Sequence, residues 1–131
     1  MNPLISIITV VYNSEQFIES TLKSIAAQNS KNFEYIIIDG QSKDATLSII
    51  EKYKSFVDVL ISEPDKGLYD AMNKGLQLAK GQFVWFINSG DQLYSENTVA
   101  QIEQLYQQDY SIDVFYGQTQ CRLDGMGWRK R

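Results

Sequence analysis

Four short polar clusters hold most of the residues that could do chemistry: Tyr12-Asn13, Asp39-Gly40-Gln41-Ser42, Ser62-Glu63 and Asn88-Ser89-Gly90-Asp91. Each follows directly on an apolar run. The sharpest change falls in FVWFINSGDQLY, residues 83–94, where a run suited to a buried strand stops on an acidic turn. Carboxylates, hydroxyls and amides of this kind suit a polar ligand or a hard cation held by oxygen atoms. The 131 residues include no histidine and one cysteine, Cys121. That composition excludes Ser-His-Asp and Cys-His catalysis, histidine-bound metal, an intrachain disulfide and a multi-cysteine zinc site.

The elements that must position these clusters are legible as runs. LISIITVVY, residues 4–12, is rich in β-branched residues and lacks alternation, as in a strand buried on both faces. Residues 33–39, 57–62, 83–87 and 114–116 read as further strands. Asn13 and Ser14 cap a first helix with Phe17, Ile18, Thr21, Leu22 and Ile25 on its apolar face. Asp44 caps a second helix through Leu47, Ile50 and Tyr53. Residues 68–80 form a third, with Met72, Leu76 and Ala79 on one side, and Ser95 opens a fourth carrying Val99, Ile102 and Leu105. The end, CRLDGMGWRKR, has no period and reads as a solvated, frayed terminus. Strands alternating with helices predict an α/β fold, a mostly parallel sheet flanked by helices with right-handed crossovers.

In such a sheet, ligands bind at the carboxyl ends of the strands, which is where the four clusters fall. The chain is 44% apolar and 21% charged, as expected of one folded domain. Its net charge of −4 argues against a nucleic-acid partner. No apolar run reaches the length of a membrane helix, so a cytoplasmic location is expected. Neither a Gly-x-Gly-x-x-Gly loop nor a Walker loop is present, so a glycine cradle does not hold any nucleotide phosphates. An acidic edge repels a diphosphate unless a divalent cation bridges the two. Asp91 is the carboxylate best placed for that cation, and Gly90 beside it permits a tight turn.

The strings TVVYNSEQFIESTLKSIAAQ, EYIIIDGQSKDAT, SEPDKGLYDAMNKGLQLAKG and FINSGD occur in that order. Together they strongly resemble the family 2 glycosyltransferases of the GT-A fold, in particular bacterial enzymes of exopolysaccharide and lipopolysaccharide synthesis. The resemblance covers residues 5–93. It implies that Thr9, Val10, Tyr12 and Asn13 line the base and ribose pocket, with Glu15 just beyond. It implies that Asp39 accepts a hydrogen bond from the base, which suits UDP or GDP. Gly40 and Ser42 would bind the nucleotide-sugar and, with Asp44, shape the following turn. Asp65, Lys66 and Gly67 would close over the nucleotide-sugar, and Asn73 and Gly75 would lie near the ribose and sugar. Asn88, Ser89, Gly90 and Asp91 occupy the place of the family's metal-binding Asp-x-Asp turn. Ser89 replaces its first aspartate, leaving Asp91 for Mg2+ or Mn2+.

By the same resemblance, the chain is the nucleotide-sugar-binding domain, residues 1–131, of an inverting transferase. It is expected to be truncated before the acceptor-binding half, which would carry the general base. The acceptor would be a glycan or a lipid-linked sugar, and a lipid-linked acceptor would bring peripheral contact with the inner face of a membrane. The alternative is a catalytically idle nucleotide-sugar-binding or assembly module. A nucleotidyltransferase is disfavoured, because VVYNSEQF lacks the glycine and lysine of that class's first loop. The residues leave the base, the sugar, the acceptor and the oligomeric state open.

Overall fold

Seven residues of the first strand, β1 (Ile5–Val11), point alternately to the two faces of a sheet, yet only Val10 escapes full burial. Both faces are covered, which is why the sequence there shows no alternation. The computed structural model describes residues 2–123 and 127–130. After β1 come α1 (Ile18–Ala26), β2 (Phe33–Asp39), α2 (Thr46–Glu51), β3 (Val59–Ser62), α3 (Leu68–Leu78), β4 (Phe83–Phe86) and α4 (Thr98–Gln108). The four strands form one parallel sheet in the order β3-β2-β1-β4.

One face of the sheet, carrying Ile5, Ile7, Val11, Tyr35 and Ile37, packs with Ile18, Leu22 and Ile25 of α1, Ile50 of α2 and Val99 of α4. The other face, carrying Ile8, Ile36 and Ile38, packs with Ala71 of α3. Burying an isoleucine side chain contributes roughly 1.5–3 kcal/mol. The buried isoleucines of β1 and β2 therefore make up the centre of the core.

α3 turns a different side inward from the one its large apolar residues suggest. Ala71 and Gly75 are its buried positions, while Leu76 is 44% exposed. The helix lies so near the sheet that a Cβ on Gly75 would come within 2.7 Å of Ile8 Cγ2. Small residues win the inner positions because only they permit that approach. Phe17, expected on the apolar face of α1, lies before the helix and is 59% exposed.

The chain after α4 departs from expectation twice. Residues 114–116 form no strand. Phe115 packs edge-on against Phe83 with ring centroids 4.9 Å apart, while Val114 and Tyr116 stand in solvent. Among the described residues, this aromatic contact and not a strand ladder holds the segment. The end expected to fray instead pairs β5 (Gln120–Leu123) antiparallel with β6 (Gly127–Lys130). The side chain of Cys121, the one cysteine, is not among those described.

Candidate functional site

Register brings three strand ends level: Val11 pairs with Asp39, and Asp39 with Ser62. β4 ends opposite Ile8, three residues short of Val11, so its polar turn begins deeper along the sheet. The loops leaving β1 and β2 are laced together. Asn13 N–H donates to Ser42 Oγ at 2.8 Å, and Asn13 Oδ1 accepts from Lys43 N–H at 2.9 Å. Ser14 N–H donates to Thr46 Oγ1 at 2.7 Å and Glu15 N–H to Asp44 Oδ2 at 3.2 Å. Glu15 Oε2 in turn accepts from Ala45 N–H at 3.0 Å. Asn13 sits at φ 47° and Gln41 at φ 66°, left-handed conformations that asparagine tolerates better than most residues.

Asp44 is positioned by these contacts. Partial desolvation pushes its carboxyl upward, but the Thr46 hydroxyl and the amides of Thr46 and Glu15 outweigh it and hold the group below 3.8. Asn13, Glu15 and Ser42, expected to contact the nucleotide, thus spend polar atoms on building the rim. Gly40 lies between that rim and Tyr12, whose ring is 57% exposed at the end of β1.

Three of the expected ligand residues make contacts within the protein. Asp39 has no exposed surface. Its Oδ2 accepts from Ser42 N–H at 2.9 Å and Ser62 Oγ at 2.8 Å, and its Oδ1 from Ser42 Oγ at 2.5 Å. The carboxylate ties β2 to its own turn and to β3. Thr9 is fully buried and accepts from the Tyr35 hydroxyl at 2.8 Å. Burial pushes that phenol well above the ordinary tyrosine range. Val10 packs with the Ile8, Ile36 and Ile38 cluster. All three belong to the scaffold beneath the rim, and Gly75, seated on Ile8, does as well.

The turn after β4 is pinned from α1. Thr21 Oγ1 donates to the Asp91 carbonyl at 2.7 Å and accepts from Gly90 N–H at 2.9 Å. Asp91 N–H closes the turn on the Asn88 carbonyl at 2.9 Å, and Gly90 takes φ 97°. Thr21 read as part of an apolar face, and its role depends on a partner 70 residues away. Asp91 and Asn88 are exposed, and the Asp91 carboxylate makes no hydrogen bond among the described residues. Ser89 Oγ is buried without a hydrogen-bond partner. No group of three metal-ligating side chains comes together among the described residues. The donor set therefore fits a divalent cation only through Asp91, with water and ligand oxygens completing the shell.

The loop between β3 and α3 is held by the first turns of that helix. Asp70 Oδ2 accepts from Lys66 N–H at 2.8 Å, a bond that holds Asp70 below the usual carboxylate range. Lys74 Nζ bridges Glu63 at 3.1 Å and the Pro64 carbonyl at 3.0 Å. Its hydrogen bond to Glu63 raises Lys74 above the ordinary lysine value. Gly67 at φ 109° lets the chain enter α3. The side chains of Lys66 and Asn73 are exposed. A cleft of about 620 Å³ lined by Asn32, Lys80, Glu103 and Tyr110 opens at the opposite, amino-terminal edge of the sheet, and none of the expected site residues lines it.

The sequence profile of Glycosyl transferase family 2 matches residues 6–130. A PGL/p-HBAD biosynthesis glycosyltransferase of Mycobacterium bovis is 32% identical over 129 residues, covering 96% of this chain and 50% of its own length. The putative teichuronic acid biosynthesis glycosyltransferase TuaG of Bacillus subtilis is 32% identical over 126 residues, covering 94% and 50%. The chain thus spans about half the length of the curated relatives it matches. Among solved structures, S. aureus TarS in complex with UDP-GlcNAc superposes with a TM-score of 0.74 at 30% identity, over 84% of this chain and 32% of that one. The mannosyltransferase PcManGT of Pyrobaculum calidifontis, in complex with GDP-Man and Mn2+, shares the fold with a TM-score of 0.69 at 23% identity, over 81% and 33%. With the profile spanning nearly the whole chain and the sheet shared with these structures, the chain belongs to the family 2 glycosyltransferases and carries the α/β nucleotide-binding half of their GT-A fold.

Proposed function

We propose that this chain binds a nucleoside-diphosphate sugar at the carboxyl edge of its sheet, as the donor-binding part of an inverting transferase. The acceptor class would be a glycan or lipid-linked sugar of bacterial polysaccharide synthesis, and the work would be done in the cytoplasm at the inner face of the membrane. The observation that carries this reading is the pairing of an open aromatic, Tyr12, with a pinned acidic turn that presents Asp91 to solvent. TarS bound to UDP-GlcNAc, 30% identical to this chain, supports the donor class.

The residues divide the work by chemistry. Tyr12 offers a ring face on which a base can stack. Asp91 would hold Mg2+ or Mn2+ through one carboxylate. When bound, such an ion supplies positive charge against the departing diphosphate. Lys66 is a further donor for phosphate or sugar oxygens. Thr21 keeps the acidic turn in place, so its geometry does not reorganise as charge develops. The proton of the acceptor hydroxyl goes to a general base that we assign to a segment other than the donor site.

Calorimetric titration with UDP, GDP, CDP and dTDP, each with Mn2+ and with chelator, tests this. At least one should bind, and chelator should weaken it. Asp91→Asn should lower the metal-dependent affinity by about tenfold or more. Binding unaffected by both chelator and Asp91→Asn would remove the metal role, and failure of every nucleotide to bind would remove the donor-site reading.

A further inference from the structure

The cleft at the amino-terminal edge of the sheet takes no part in the donor site. Its volume of about 620 Å³ falls within the roughly 300–1,000 Å³ of small-molecule sites. It is lined by residues that lead into three strands: Leu4 before β1, Asn32 before β2 and Gln82 before β4. From α4 it takes Glu103, Tyr106 and Gln107, which share one face at helical spacing, and Tyr110 follows just past the helix end. The lining is held in place. Glu103 Oε2 accepts from Asn32 Nδ2 at 2.6 Å, and Asn32 Oδ1 accepts from Leu4 N–H at 3.0 Å. Gln82 Nε2 donates to the Tyr106 hydroxyl. The Tyr106 ring stands edge-on to Phe83 with centroids 5.3 Å apart and to Tyr110 with centroids 5.1 Å apart. Tyr106 packs against the core, whereas Tyr110 is 69% exposed.

We propose that this cleft is a second binding site, which takes a neutral oligosaccharide by one or two of its sugar units. The lining chemistry selects that class. Sugar hydroxyls both donate and accept hydrogen bonds, and so do the side-chain amides of Asn32, Gln82 and Gln107. Asn32 and Gln82 each commit one amide N–H within the protein and keep the other. The open Tyr110 ring offers an apolar face to the C–H face of a pyranose, with its hydroxyl at the edge. The charges disfavour an anion. Lys80 and Glu103 are of opposite sign, so the cleft has no surplus positive charge for phosphate, and Glu103 repels a diphosphate. The binding claim shares no residue with the donor edge and stands without it. For a transferase acting on a glycan, a hold here on a distant unit would raise the local concentration of the acceptor end; that role, unlike the binding, rests on the donor-site reading above.

The test is heteronuclear NMR titration of the chain with cellotetraose, maltotetraose and N-acetylated chitotetraose. At least one should shift the side-chain amide signals of Asn32, Gln82 and Gln107 saturably, with a Kd at or below about 1 mM. The Gly90 amide at the donor edge should stay in place. Tyr110→Ala, a change at an exposed ring, should weaken that binding by about threefold to tenfold. Gln107→Ala, which removes an amide and leaves the aromatic packing alone, should weaken it by about threefold or more. Raised salt should leave the affinity unchanged. No saturable shift with any of these oligosaccharides would overturn the inference, as would shifts confined to the donor edge. So would an affinity that both variants leave intact. Shifts of the cleft amides by UDP or inorganic phosphate in place of the oligosaccharides would show an anion site and overturn it as well. In each of these cases the donor-site reading would survive, because its own test is nucleotide binding at the other edge.

Discussion

At the scale of single residues, the carboxylates of this chain divide into those turned inward and those left open. Asp39 is the clearest of the first kind, with three donors from Ser42 and Ser62 on its two oxygens and no exposed surface. Asp65 and Asp91 are of the second kind. Sequence alone shows that an aspartate ends a strand. It does not show which way the carboxylate turns, because that depends on Ser62, which lies 23 residues away. Asp39→Asn places an amide N–H where a donor already points and leaves a buried donor without an acceptor. It should cost about 1–3 kcal/mol of folding stability, measured by urea denaturation. A variant as stable as wild type would show that the three bonds to this carboxylate carry no net stabilisation.

At the scale of elements, the parallel strands were legible because buried β-branched runs such as residues 4–12 have few other uses. The facing of α3 was not. Its pattern ranks Met72, Leu76 and Ala79 as inner residues, but the sheet admits the helix only over Ala71 and Gly75. The C-terminal hairpin and the packing of Phe115 on Phe83 depend on partners that local periodicity does not reveal. The site follows the same division: strand ends located the edge, whereas the role of Thr21 came from a contact distant in sequence. Two glycines test the close approaches. At Gly75 a Cβ meets the Ile8 side chain, which can shift, so Gly75→Ala should cost about 1–3 kcal/mol, partly offset by about 1 kcal/mol of helix propensity. At Gly81 a Cβ would lie 2.5 Å from Ser6 N and 2.7 Å from the Ile5 carbonyl carbon, both backbone atoms that cannot rotate aside. Gly81→Ala should therefore be the more damaging, by about 2 kcal/mol or more in denaturant titration. Equal costs would mean that α3 does not pack as tightly on the sheet as described.

At the scale of the whole molecule, acid and alkali should attack different places. Asp44 and Asp70, which hold the rim loops, both titrate below the ordinary value of 3.8 in the folded chain. A depressed carboxylate contributes stability that is present above its unfolded value and is lost as pH falls through the folded one. Both groups lie at the surface, where solvent screens them, so each contributes modestly. The acid limb should consequently begin with the rim, between about pH 5 and about pH 3, and loosening there should reach the nucleotide site before the isoleucine core. Tyr35 works in the opposite sense. Burial raises its phenol above 10.0, so its contribution is complete below that value and declines as pH rises beyond it. Melting temperature measured across pH should fall at both ends. Asp70→Asn should flatten the acid limb alone, and Tyr35→Phe the alkaline limb alone, at the cost of the bond to Thr9. Hydrogen exchange near about pH 4 should show the amides of Glu15 and Lys66 opening ahead of those in β1 and β2. Simultaneous opening of rim and strands would show that the loops and the sheet unfold as a single unit, so that the donor edge has no acid-sensitive motion of its own.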